Sequence, residues 1–151
     1  LNKEYHLYPE IDKEICIKAV RNHNKFKTEE NLTDRERYFV NLVRDSDKID
    51  IMVIQKNNVT DGETEILPNV LESIRKREQH KILKEELDMN EVSEIGTIIC
   101  FIFDLNFRES FRIIKERKLI ENKIKLLKEN CAKETTDEIE EIVNSYIESR
   151  I

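Results

Sequence analysis

Three histidines and one short aspartate run are the side chains here whose types suit metal or phosphate chemistry. The histidines are His6, His23 and His80, and the run is Arg44-Asp45-Ser46-Asp47-Lys48-Ile49-Asp50. A divalent-metal site needs several imidazole nitrogens and carboxylates that converge in space. The ion then lowers the pKa of a bound water and offsets charge on a phosphate. No histidine in this chain is followed by Asp, and no His-x-x-His or His-x-x-x-His pair exists. By spacing alone, His23 near a helix C-terminus is expected to cap carbonyls or meet the negative end of the dipole. The aspartates are expected to lie on a solvated helix face among lysines and arginines.

The elements that must position these residues are helical. The 151 residues include two glycines and two prolines, with 38% charged and 38% hydrophobic residues. That composition starves turns and suits helices, and its periodic apolar residues exclude disorder. Pro9, Glu10 and Asp12 open a helix that carries Ile11, Ile15, Ala19 and Val20 as its apolar stripe and ends near Asn22. Residues 24–33 read as a polar connection. Thr33 and Glu36 form a capping box before a helix from Asp34 to about Lys56, with Tyr38, Phe39, Leu42, Val43, Ile49, Met52 and Val53 as its apolar set. Asn57 to Thr64 is a loop, and Pro68 starts a short helix through Arg77. The Ile-rich stretch Met89 to Phe103 is expected to be a central buried helix. Helices follow around Phe107–Ile114 and Leu119–Leu127. A second capping box, Thr135 with Glu138, is expected to open the last one. The fold class is therefore all-α, a helical bundle over residues 1–59 with a helical extension over 60–151 packed on it.

Charge narrows the partners. Lys plus Arg is 26 against 32 for Asp plus Glu, a net charge of −6. No basic block dominates, which argues against nucleic acid and against an anionic membrane surface. No stretch approaches the roughly 18 apolar residues of a membrane span. Cys16, Cys100 and Cys131 are odd in number and widely spaced. Cys16 and Cys100 read as buried thiols of a reducing cytoplasm.

Two stretches carry a resemblance. Ile17 to Lys27 (IKAVRNHNKFK) and Leu42 to Met52 (LVRDSDKIDIM) resemble the second half of HD-domain proteins, a superfamily of metal-dependent phosphohydrolases. The helical stretch Ile99 to Ile124 is similar to the tail of one bacterial branch. The resemblance implies a helical bundle of HD-domain type and a divalent metal ion. Asp47 falls on the ligand position, and His23 serves a second metal or the phosphate. It also implies a nucleotide or other phosphorylated small molecule as substrate. Lys25, Arg44 and Lys48 are candidates for substrate phosphate from their charge. The family's first His and its His-Asp doublet are not among the 151 residues. The site is therefore expected to be incomplete, the missing half lying before Leu1 or on another polypeptide. The uncovered apolar faces would then bury against another copy or another chain. The alternative reading is a non-catalytic helical interaction or oligomerisation module.

Geometry sets one condition. Residues 34–47 span about 20 Å of helix at roughly 1.5 Å per residue. A tight antiparallel hairpin would hold Asp47 far from His23. The two approach each other only if residues 24–33 fold back along the bundle.

Overall fold

The structure is a computed structural model that describes residues 10–151, the side chain of Ile11 excepted. Among the described residues there are seven α-helices and no strand, so the fold is all-α as expected. The helices are α1 (Glu10–Asn22), α2 (Asp34–Ile54), α3 (Pro68–Lys76), α4 (Glu91–Ile99), α5 (Arg108–Glu116), α6 (Leu119–Asn130) and α7 (Lys133–Arg150). Short 3₁₀ turns occupy Lys84–Glu86 and Cys100–Asp104. The chain divides into two compact units at Asp47/Lys48, within α2.

In the first unit, α2 begins with the capping box read from the sequence. The Thr33 N–H donates to Glu36 Oε2 at 2.9 Å, and the Glu36 N–H donates to Thr33 Oγ1 at 3.2 Å. Lys18 Nζ donates to Glu36 Oε1 at 2.5 Å, and Arg35 Nη2 to Asp12 Oδ1 at 2.8 Å. Arg44 Nη1 donates to the Asn22 carbonyl at 2.9 Å. These pairs advance along both helices in the same direction. The α1 and α2 axes therefore run side by side with like sense, and residues 23–33 return along them. The fold-back that the geometric condition required is present.

The apolar phases expected for these helices are corrected. Ile15 and Ala19 are buried, but Val20 is 63% exposed. On α2 the inward row is Glu36, Val40 and Arg44, spaced by four residues. Tyr38, Phe39 and Leu42 are exposed instead. The reason is that buried polar groups must be paired. Glu36 answers Lys18 and the Thr33 N–H, and Arg44 answers carbonyls at the end of α1. That need fixes the rotation of α2 and turns its aromatic residues outward. Cys16, expected to be buried, is exposed, because it follows buried Ile15 by one position and so lies about 100° round α1 from the Ile15–Ala19 face.

The second unit holds the main apolar core. The α4 helix packs on α3 and α6, and α7 on α3, α5 and α6. The most buried stretch is the one read as central: Val92, Ile95, Ile98, Ile99, Cys100 and Ile102 are all nearly inaccessible. Its α-helical part stops at Ile99 and tightens into the 3₁₀ turn through Asp104. Asn90 caps it, its side chain accepting from the Ser93 N–H at 2.9 Å. Gly96 marks a close approach: a Cβ there would lie 2.8 Å from Val70 Cγ1. The cap expected at Thr135 is not formed. The α7 helix starts earlier, at Lys133, so Thr135 lies within its first turn. Glu138 pairs with Arg75 instead, at 2.7 and 3.0 Å.

Candidate functional site

The sequence candidates divide by what their side chains touch. His23 sits just past the last turn of α1, and its Nδ1 lies 2.5 Å from the Val20 carbonyl. A carbonyl only accepts, so Nδ1 carries the proton of this hydrogen bond, and no contact engages Nε2 among the described residues. This is the carbonyl-capping role expected of a histidine at that position. Asp47 is half-buried on α2, and no hydrogen bond or ion pair engages it among the described residues.

The three cations differ more. Arg44 is buried, and its Nη1 donates to the carbonyls of Asn22 at 2.9 Å and Lys25 at 2.5 Å, with His23 O at 3.5 Å. The Asn22 carbonyl is one of those a helix end leaves without an intrahelical partner, and those of His23 and Lys25 follow it in the chain's turn. Lys25 is exposed and pairs with Glu29 at 3.2 Å. Lys48 is buried, its Nζ 2.9 Å from Asp104 Oδ2. Arg44 thus brings the backbone around His23 and Lys25 against α2, one turn before Asp47. Lys48 is engaged separately, in the second unit. Among the described residues no group of three or more His, Cys, Asp and Glu side chains is placed to hold a metal ion. His6 lies outside the described residues.

The second unit contains a polar cluster that sequence spacing did not reveal. Ser73 Oγ lies 2.9 Å from His80 Nδ1, and His80 Nε2 lies 2.9 Å from Glu86 Oε2. Glu86 also accepts from the Leu83 N–H at 2.9 Å and from Asn69 Nδ2 at 3.3 Å. Burial alone would raise the Glu86 pKa. The Leu83 N–H, His80 and Asn69 outweigh it, and the carboxyl is held below its ordinary value. The cluster ties the segment after α3 and the 3₁₀ turn back onto α3. The only sequence signal was a histidine beside a Glu-rich stretch, Glu85-Glu86, which is common on any solvated surface.

Lys123 is a second such case. It is almost wholly buried on α6, and its Nζ donates to the carbonyls of Gln55 and Lys56, the latter at 2.8 Å, and to Asn57 Oδ1 at 2.9 Å. Lys56 is in the left-handed region, φ 49°. That conformation ends α2 and turns its last carbonyls toward the ammonium. Burial lowers the Lys123 pKa. Cys100, also buried, has its thiol pushed up to about 12 by burial, against a smaller opposing effect of the His80 N–H. It is therefore an inert thiol at neutral pH.

No helix among the described residues is long and apolar enough to cross a membrane. No family model matches the chain, and no curated protein or solved structure matches it.

Proposed function

We propose that the chain descends from the HD-domain superfamily of metal-dependent phosphohydrolases, acting on a nucleotide or another phosphoester, and that it carries only part of the ion cage. The supporting observation is the state of His23. Its Nδ1–H is committed to a backbone carbonyl, which is the arrangement that orients a metal-ligating imidazole and leaves Nε2 for the ion. Asp47, half-buried and unengaged among the described residues, is the matching carboxylate. Arg44 holds the backbone at Asn22 and Lys25 against α2, one turn before Asp47, which supports the two segments acting together.

The donor set does not fit a closed site. One imidazole and one carboxylate are too few for a tightly held catalytic ion. The histidine and His-Asp doublet that the family uses would have to come from outside these 151 residues, so no catalytic step is assigned to the chain alone. In this reading Arg44 acts by placing His23, and Lys25 is the cation left accessible to a phosphate. A cytoplasmic setting fits three unpaired cysteines.

The test is titration of the 151-residue chain with Mn²⁺ or Ni²⁺ in a calorimeter. Weak binding at a single site, lost in Asp47→Ala and weakened in His23→Ala, is the expected outcome. Binding unaffected by both substitutions, or none at all, refutes the reading.

A second reading, a non-catalytic interaction or oligomerisation module, is favoured by one observation. Val20, Tyr38, Phe39 and Leu42 are exposed on the first unit, where a lone soluble helix pair would keep polar residues. Sedimentation of the chain across a hundredfold range of concentration tests it. Self-association abolished by Tyr38→Ser with Leu42→Ser supports it, and a monomer throughout removes self-association.

A further inference from the structure

The strongest unassigned feature is a crevice of about 190 Å³ in the second unit, between the 82–89 segment and one face of α4. A cavity of about 150 Å³ lined by apolar side chains is enough to bind benzene. Ile82, Leu87, Met89, Ile98 and Phe101 form the apolar part of the wall. Ile82 and Leu87 are themselves half or more exposed, 50% and 72%, which leaves apolar surface open at the mouth. The wall is preformed, because Glu86 fixes the segment through His80, Asn69 and the Leu83 N–H. Preformed walls lower the ordering cost of binding.

The charges at the polar end select the ligand. Glu86 and Glu94 line the crevice with one cation, Lys56. Lys56 already pairs with Glu94 and lies 4.0 Å from Glu91 Oε1. Glu86 stays ionised, since its pKa is held down. The lining therefore has one more negative than positive charge, next to an apolar body that weakens solvent screening. A ligand carboxylate would meet the half-exposed Glu94 with the Glu86 charge behind the wall, turned to His80, Asn69 and the Leu83 N–H, whereas an ammonium head would offset the excess and donate to Glu94.

We infer that this crevice binds a small primary amine with an apolar, ring-sized body, of the arylalkylamine class. The inference does not rest on the phosphohydrolase reading, whose residues lie in the first unit. Ring edge and aliphatic chain fill the space against Ile98 and Phe101, the ammonium meets Glu94, and Leu87 folds over the ring.

The experiment is a methyl NMR titration of the whole chain with 2-phenylethylamine at pH 7, with 3-phenylpropionate as the oppositely charged comparator. Saturable shifts of the Met89 and Ile98 methyls are expected, with a dissociation constant on the order of 1 mM for a ligand of this size. The carboxylate comparator binds at least about tenfold more weakly, and Glu94→Gln weakens the amine by about tenfold through loss of a charge-assisted hydrogen bond. Leu87→Trp, at an exposed position that the fold tolerates, fills the mouth and abolishes the shifts. No saturable shift up to about 10 mM overturns the inference. Equal binding of the carboxylate, or undiminished amine binding in either variant, overturns it as well.

Discussion

Replacing Arg44 with Met separates a structural from a substrate-binding role for this residue. Two carbonyl oxygens, those of Asn22 and Lys25, lie within 2.9 Å of its Nη1. Hydrogen bonds to a charged donor contribute about 1.5–3 kcal/mol each, so the gross loss is about 3–6 kcal/mol. Methionine fills similar volume and removes a buried cation, whose desolvation cost of several kcal/mol is recovered in part. The net destabilisation is then about 2–3 kcal/mol. It should fall on α1, whose 13 residues are near the limit below which an isolated helix is marginal. Hydrogen exchange measured by mass spectrometry reads this directly. Amides of residues 15–22 should exchange about 30-fold faster or more, since about 1.4 kcal/mol is tenfold in an opening equilibrium. Arg44→Lys keeps the charge without the planar fork and should give an intermediate effect. Unchanged protection of α1 in Arg44→Met would refute the argument. If phosphate binding fell at the same time, Arg44 would return to the substrate role that its charge alone suggested.

Lys123→Met should lower unfolding free energy at pH 7 by about 1–3 kcal/mol in urea melts, because the part-buried carbonyls that end α2 lose their donor. The wild type should also gain stability from this group as pH rises between its burial-lowered pKa and 10.5, where the unfolded chain binds more protons, and the variant should lack that gain. Gly96→Ala gains about 1 kcal/mol of helix propensity but places a methyl 2.8 Å from Val70 Cγ1, an overlap costing about 1–3 kcal/mol. A net loss of about 1 kcal/mol is expected, reversed in sign when combined with Val70→Ala in a double-mutant cycle.

Helical character and the starts of most helices follow from local signals along the chain. Scarce Gly and Pro, the Thr33–Glu36 box, Pro68 and the 3–4 spacing of Val92, Ile95, Ile98 and Ile99 are local signals, and local backbone hydrogen bonds obey them. The Thr135–Glu138 pattern failed because Glu138 found a partner 63 residues away, Arg75, which no local rule contains. Likewise the rotation of α2 was decided by tertiary demands on Glu36 and Arg44, and those demands outweighed the burial of Tyr38, Phe39 and Leu42. The candidate site was legible only as residue types. Whether Arg44 faces a phosphate or a helix end, and whether Lys123 is solvated or sealed, depends on which distant carbonyls need a donor. Such pairings are long-range, so only the packed chain decides them.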